Sequence, residues 1–124
     1  MKTFLIADDT PRKTRLFLEL LKKAGWQGEI FTADTVEGAK ELIDRNQIDS
    51  AFIDYYIPTT NGPSIIRYLK QVWPKARVAL VSSIDDALNS MEARQAGAEV
   101  TAFTHDDPEK VEQKLLKIIR EWLK

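Results

Sequence analysis

Short apolar runs alternate with amphipathic stretches along the whole chain. The runs have the length of buried strands, and the stretches between them carry apolar side chains at helical spacing. This alternation is typical of a parallel sheet covered by helices on both faces. We predict strands at Thr3 to Ala7, Glu29 to Thr32, Ser50 to Ile53, Arg77 to Val81 and Val100 to Phe103.

Capping and turn residues mark the predicted helices between these strands. The first begins after Asp9, Thr10 and Pro11, a cap followed by a proline near the first helical position, and ends at Gly25. The others begin near Thr35, at Gly62 and Pro63, at Asp85 and Asp86, and at Asp107 and Pro108. The fourth helix has the weakest inward stripe, with Leu88 and Met91 as its apolar members. Strand–helix units with right-handed crossovers predict an α/β doubly wound parallel sheet, with residues 1–124 forming one domain.

Composition narrows the possible functions. The chain has 124 residues, 30% of them charged, and a net charge of -1. Without a basic excess we expect no direct binding to nucleic acid, and phosphate chemistry would need a metal. The sequence has no cysteine, which excludes disulfides and thiolate chemistry and fits a reducing compartment. The first apolar run is too short for a signal peptide or membrane span, so we predict a cytoplasmic protein.

Acidic residues follow two of the predicted strands. Asp8 and Asp9 follow the first strand, and Asp54 follows the third. Folds of this class bind ligands at the carboxyl ends of strands where the strand order reverses. If the first and third strands are neighbours, as in the flavodoxin-like order, the carboxylates meet in one crevice, and such an oxygen-only set suits Mg²⁺. The alternative is that each aspartate only caps a helix or loop.

Asp54 also has the chemistry of a phosphoryl acceptor. A metal would shield its charge, and aspartate can attack phosphorus to form a covalent intermediate. Ser82 and Ser83 follow the fourth strand. A hydroxyl and a backbone N–H at that place can bind a phosphoryl oxygen, although two serines before a helix can equally serve as its cap.

Together these segments resemble the receiver domain of bacterial two-component response regulators. The matching stretches are IADDTPRKTRLFLELL, FIDYYIPTTNG, LVSS and QAGAEV, and the resemblance covers nearly the whole chain. It implies a flavodoxin-like (βα)5 fold with strand order 2-1-3-4-5, and a phosphoryl acceptor rather than an ordinary enzyme. It further implies phosphoryl transfer from a histidine kinase or phosphotransfer protein to Asp54, with Ser82 reaching for the phosphoryl group. Mg²⁺ would be held by Asp9, Asp54, the Tyr56 backbone carbonyl and, through water, Asp8.

Two departures from the family pattern lie on the fifth strand. Receivers carry a lysine where this chain has Thr104, and an aromatic switch residue where it has Thr101. Loss of the lysine removes a charge-assisted hydrogen bond of roughly 1.5 to 3 kcal/mol. His105 is either simply exposed or a partial substitute for the lysine, and either Phe103 or His105 could take over part of the switch role. Tyr56 either shields an acyl phosphate from water or covers apolar surface.

We therefore expect a signalling receiver, and two alternative functions stay open. In receivers the surface of helix four, strand five and helix five is where a downstream protein or a second copy docks. The chain stops directly after the last helix, which fits a single-domain regulator or an excised receiver. Thr104 and Thr101 raise the alternative of a receiver-shaped interaction module that works without phosphorylation. A small Mg²⁺-dependent phosphohydrolase is a third possibility, against which Tyr56 stands where a second aspartate would be needed.

Overall fold

The computed structural model describes residues 2–124, in which strands and helices alternate strictly. The strands are β1 (Phe4–Ala7), β2 (Ile30–Ala33), β3 (Ser50–Ile53), β4 (Arg77–Ser82) and β5 (Val100–Phe103). The helices are α1 (Pro11–Ala24), α2 (Val36–Arg45), α3 (Gly62–Val72), α4 (Ala87–Ala96) and α5 (Pro108–Leu123). The predicted strands and helix starts therefore agree with the structure to within about one or two residues, the usual uncertainty of such boundaries.

The strands form one parallel sheet in the order β2-β1-β3-β4-β5, as predicted. The sequence order reverses at β1, which pairs with β2 on one side and β3 on the other. In that register Ala7 lies opposite both Ala33 and Ile53. The residues that follow β1 and β3 therefore emerge side by side, and the Asp54 N–H donates to the Ala7 carbonyl at 2.9 Å.

Two apolar cores cover the two faces of the sheet. One lies under α2, α3 and α4, and the other lies under α1 and α5. In the second core Phe4 meets Trp26 and Phe52 edge to face, with ring centroids 5.2 and 5.0 Å apart. Trp122 of α5 packs against Phe52 at 5.7 Å. This aromatic cluster packs β1 and β3 together on the α1 and α5 face of the sheet.

The predicted inward stripe of α4 is wrong. Leu88 and Met91 are 74% and 56% exposed, and the buried side chains of this helix are Ala93 and Ala96. At 3.6 residues per turn, Leu88 and Met91 lie about 140° and 200° around the helix from Ala93. Small residues set the rotation of α4 because they let it pack closely on the first core, and the larger apolar residues consequently face outward.

The last helix, α5, is amphipathic as the spacing predicts. Its apolar residues are buried, among them Leu115, Ile119 and Trp122. Its exposed side is basic and includes Lys110, Lys114, Lys117, Arg120 and Lys124. In residues 2–124, no helix combines the length and the apolar content needed to cross a lipid bilayer.

Candidate functional site

The carboxyl ends of β1 and β3 bring three aspartates together. Asp8, Asp9 and Asp54 each offer a carboxylate oxygen that lies within 4.8 Å of the other two. Asp8 and Asp54 are buried, and Asp9 is exposed. The predicted convergence of these carboxylates is therefore confirmed, and we call the group the acidic pocket.

Asp8 takes part in both capping and the acidic pocket. Its Oδ1 accepts a hydrogen bond from the Thr10 N–H at 2.8 Å, which shapes the turn that leads into α1. Its Oδ2 points into the pocket, is fully buried and accepts no well-directed hydrogen bond from the described residues. The capping alternative thus explains one oxygen of Asp8 and leaves the other for a positive charge.

Lys13 of α1 lies inside the acidic pocket, and the sequence interpretation missed it. Its Nζ is 2.9 Å from Asp8 Oδ2 and 3.1 Å from Asp54 Oδ1, and it donates to the Val81 carbonyl at 3.3 Å. The contact with Asp8 has ion-pair distance without hydrogen-bond direction, which is why Oδ2 keeps a free lone pair. The available signal was its spacing: Lys13 lies four residues before Phe17, on the buried face of α1.

The two oxygens of Asp54 have different surroundings. Oδ1 accepts the Tyr55 N–H at 2.9 Å and contacts the Lys13 ammonium. Among the described residues both of these donors meet Oδ1, so Oδ2 keeps its lone pairs. Burial raises the pKa of Asp54 above its ordinary value; Lys13 lowers it, and the neighbouring Asp8 charge raises it further. An additional cation at the pocket would therefore favour the ionised form of Asp54.

The start of α3 holds the segment after Asp54 in place. Asn61 caps the helix by accepting the Ser64 N–H, and the Gly62 N–H donates to the Tyr55 carbonyl at 2.7 Å. A Cβ on Gly62 would lie 1.9 Å from the Asp54 carbonyl oxygen. Glycine is therefore required at this position, because the helix begins directly against the backbone of Asp54.

The predicted serines lie at the end of the neighbouring strand. Ser82 is fully buried, and its Oγ accepts the Ile84 N–H at 3.2 Å, which leaves the hydroxyl proton free to be donated elsewhere. Its carbonyl accepts the Thr104 N–H at 2.8 Å, which ties the end of β4 to β5. Ser83 is exposed beside the pocket. Both positions suit the predicted roles, which remain predictions.

Tyr56 lies at the outer edge of the site. Its side chain is 50% exposed, and its ring meets that of Tyr55 at 4.8 Å between centroids. Its hydroxyl accepts a hydrogen bond from the Asn89 side-chain amide at 3.2 Å. The neighbouring Tyr55 hydroxyl donates to Glu92 at 2.7 Å, which raises the pKa of Tyr55 to about 12 and keeps it neutral. The two rings thus link the segment between β3 and α3, residues 54–61, which we call the acceptor loop, to α4.

The residues in and just after β5 that bear on the departures from the family pattern are clearly placed. Thr101 is buried in the strand, and Thr104 lines a cavity of about 470 Å³ together with Lys13 and Ser83. His105 is exposed, and in residues 2–124 no ion pair or hydrogen bond joins it to the acidic pocket. The first of the two alternatives for His105, simple exposure, agrees with this placement. Phe103 lies opposite Ser82 in the strand register.

The acidic pocket can hold a divalent metal ion. Its donors are carboxylate oxygens, which are hard ligands of the kind that Mg²⁺, Mn²⁺ and Ca²⁺ prefer. The buried Asp8 Oδ2 without a directed hydrogen bond is a second observation that points to a cation. Lys13 supplies one positive charge to the pocket, which still leaves an excess of negative charge among the three carboxylates.

Comparison with known proteins identifies the class. Residues 4–116 match the response regulator receiver domain, and the chain belongs to that family. It is 28% identical over 120 residues to the chemotaxis protein CheY of Thermotoga maritima, covering 94% of this chain and 97% of that protein. It is also 28% identical over 94 residues to the response regulator protein PilR of Pseudomonas aeruginosa, covering 76% of this chain. The chain spans about a fifth of the length of PilR, since the match covers 21% of it.

Solved structures share the fold. The Mn²⁺-bound form of the response regulator Rcp1 has a TM-score of 0.88 at 14% identity, covering 100% of this chain and 96% of that one. A response regulator from Burkholderia pseudomallei with a phosphorylated aspartic acid has a TM-score of 0.77 at 18% identity, covering 98% and 72%. Receiver domains are phosphoryl acceptors rather than classical enzymes, and their partners are histidine kinases. The predicted family, fold and class of activity are therefore confirmed.

Proposed function

We propose that this receiver domain accepts a phosphoryl group on Asp54 in a two-component phosphorelay, with Mg²⁺ in the acidic pocket. The observation that carries the proposal is the arrangement around Asp54. Two donors hold its Oδ1, while oxygens of two further aspartates lie within 4.8 Å of an Asp54 oxygen. Such an arrangement orients a nucleophile and prepares a place for a cation beside it.

The chain would perform the transfer by positioning its acceptor oxygen. Tyr55 and Lys13 fix the carboxylate of Asp54 through Oδ1, so Oδ2 presents its lone pair to the donor phosphorus. A P–O bond to Oδ2 forms as the P–N bond of the phosphohistidine breaks, and the leaving imidazole keeps the electron pair of that bond. The product is an acyl phosphate on Asp54 and an unmodified histidine on the partner.

The metal ligands and the phosphoryl contacts are divided among three strand ends. Asp9, Asp54 and the Tyr56 backbone carbonyl would hold Mg²⁺, with Asp8 acting through a water molecule. When bound, Mg²⁺ shields the negative charges that would otherwise keep a carboxylate and a phosphoryl group apart. The free hydroxyl proton of Ser82 and the backbone N–H of Ser83 would donate to phosphoryl oxygens.

The conformational change caused by phosphorylation would pass from the site through β4 and β5. A Ser82 hydroxyl drawn toward the phosphoryl group pulls on the strand end whose carbonyl accepts the Thr104 N–H. We place the responding surface on α4, β5 and α5, where a downstream protein or a second copy of this chain would dock. The basic exposed side of α5 belongs to that surface. The kinase or phosphotransfer partner would act in the cytoplasm.

Chemical phosphorylation tests the proposal. The protein is incubated with Mg²⁺ and acetyl phosphate, and the adduct is followed by intact mass and by its lability to hydroxylamine. We expect a gain of one phosphoryl group in the wild type and none in Asp54→Asn or in the wild type with a chelator. Absence of an adduct at saturating donor would overturn the proposal and favour a receiver-shaped interaction module that works without phosphorylation.

A further inference from the structure

We propose that Lys13, reaching in from α1, supplies the ammonium that binds the phosphoryl group on Asp54. The inference rests on the proposed function and deepens it, because it assigns a charge to the site that β5 does not provide. Thr104 and Thr101 carry no charge, and within residues 2–124 no ion pair or hydrogen bond joins the exposed His105 to the acidic pocket. In residues 2–124 Lys13 is the basic residue whose ion pairs reach Asp8 and Asp54.

The burial of Lys13 argues for a specific use. Lysine side chains usually extend along apolar surface and leave the ammonium in water. Lys13 is only 7% exposed, although its neighbour Arg12 is exposed on the same turn of α1. Withdrawing an ammonium from water costs free energy unless charged partners surround it. Here the partners are two carboxylates and the Val81 carbonyl at the end of β4.

The same contacts place the ammonium beside the future phosphoryl group. When Oδ2 of Asp54 is phosphorylated, Oδ1 becomes the uncharged carbonyl oxygen of an acyl phosphate. It then attracts a cation less strongly than a carboxylate oxygen does. The phosphoryl group brings new anionic oxygens next to that position. Lys13 Nζ lies 3.1 Å from Oδ1 and 2.9 Å from Asp8 Oδ2. It can therefore turn one N–H toward a phosphoryl oxygen while Asp8 keeps it in the pocket.

The cavity beside the site brings Lys13 of α1 close to Thr104, the residue that follows β5. Lys13 and Thr104 line the same cavity of about 470 Å³, with Ser83 at its rim. A side chain longer than threonine at position 104 would enter the space beside the Lys13 stem. An ammonium introduced at position 104 would enter the same cavity as Lys13. That geometry supplies a rescue experiment.

The test measures beryllofluoride binding and Mg²⁺ binding separately. Beryllofluoride mimics the acyl phosphate, and its binding is followed by tyrosine fluorescence at saturating Mg²⁺. Mg²⁺ binding alone is measured by calorimetry. The variants are Lys13→Met, which keeps an unbranched stem, the double variant Lys13→Met/Thr104→Lys, and Lys22→Met as the matched control on the exposed side of α1.

We expect Lys13→Met to weaken beryllofluoride binding by about 10- to 100-fold, the loss of one charge-assisted hydrogen bond. Its Mg²⁺ affinity should rise, because a competing positive charge has left the pocket. A purely structural lysine would lower both affinities. Lys22→Met should bind both ligands as the wild type does, and the added Thr104→Lys should restore most of the beryllofluoride affinity.

Two results would overturn the inference. Lys13→Met could bind beryllofluoride as tightly as the wild type, or Thr104→Lys could fail to restore a lost affinity in a folded double variant. Failure of the wild type itself to bind beryllofluoride would instead overturn the proposed function. If Lys13→Met does not fold, ¹⁵N-lysine NMR of the wild type decides. The Lys13 ammonium signal, assigned with Lys13→Arg, should shift on addition of beryllofluoride, and an unmoved signal contradicts the inference.

Discussion

Two groups of charged side chains lie at opposite ends of the same sheet and differ in how far they are exposed to water. At the carboxyl end, Lys13, Asp8 and Asp54 have side chains only 9%, 0% and 6% exposed. At the amino end, the side chains of Arg77 and Glu99 are 45% and 41% exposed and form a bidentate ion pair. Arg77 Nε donates to Glu99 Oε1 at 3.1 Å, and Nη2 donates to Oε2 at 2.8 Å. The exposed pair gives up little hydration, whereas the buried group gives up nearly all of it.

The comparison shows at which end of the sheet charged groups remain available to bind a ligand. The Arg77–Glu99 pair lies over the aromatic cluster, with the Arg77 guanidinium 5.8 Å from the centre of the Trp122 ring. Both charges of this pair are matched by two direct hydrogen bonds. At the carboxyl end the buried Asp8 Oδ2 accepts no directed hydrogen bond from any residue of the described range 2–124, and burial raises the pKa of Asp54. The carboxyl end, where charged groups are buried without a full set of partners, is therefore the candidate functional end of the sheet.

The largest expected effect comes from removing the buried cation. Lys13→Met leaves Asp8 and Asp54 facing each other in the core, and breaking a buried pair in this way costs about 3 to 5 kcal/mol. We expect a fall of that size in the free energy of unfolding, measured by urea denaturation in chelator at neutral pH. Added Mg²⁺ should recover part of the loss. A fall below about 1 kcal/mol, the median effect of a point mutation, would show that the pair is not buried as described.

Two glycines allow the ends of the sheet to be compared directly. A Cβ on Gly62 would lie 1.9 Å from the Asp54 carbonyl oxygen, and a Cβ on Gly28 would lie 1.5 Å from the Lys2 carbonyl oxygen. Each alanine variant should lose about 1 to 3 kcal/mol of unfolding free energy, because backbone must move in both. Only Gly62→Ala should also weaken Mg²⁺ binding in calorimetry, since only that glycine touches the acceptor loop. Equal loss of Mg²⁺ affinity in both variants would contradict this division.

Much of this molecule could be predicted from sequence, and the failures share a cause. The strands and the acidic residues at their ends follow from periodicity, whereas the strand order that brings Asp8, Asp9 and Asp54 together was implied by the resemblance to receivers. Lys13 was missed because a lysine is assigned to solvent by default, although its place on the buried stripe of α1 signalled otherwise. Leu88 and Met91 were wrongly placed inward because the small residues of α4 determine its rotation.

Neutralising the acceptor, Asp54, should change the free energy of unfolding by a smaller amount. The pKa of Asp54 is raised in the folded protein, so the native state holds this proton at higher pH than the unfolded chain does. The native state therefore loses stability as the pH rises through that range. Without metal, Asp54→Asn should consequently be more stable than the wild type at pH 7, by about 1 kcal/mol.

The gain in Asp54→Asn should shrink as the pH falls below the ordinary range for aspartate, because both proteins then carry a neutral side chain. Lys13 keeps Asp8 as its partner in the variant, so the ammonium is not stranded. Urea denaturation in chelator from pH 4 to pH 8 measures the difference. A variant less stable than the wild type at pH 7 would show that the ion pair with Lys13 outweighs the burial of Asp54.

The smallest effect belongs to the exposed pair. Hydrogen bonds from Arg77 hold the pKa of Glu99 below its usual value, so the pair stabilises the native state above the ordinary pKa of a glutamate and loses that contribution as the pH falls. Glu99→Gln should cost about 0.2 to 1 kcal/mol at pH 7, less in high salt, and nothing once the wild-type carboxylate is protonated. Paired urea denaturation curves at pH 7 and in acid, at low and high salt, measure this. A loss independent of pH and salt would mean that packing on Trp122, rather than charge, holds the amino end of β4.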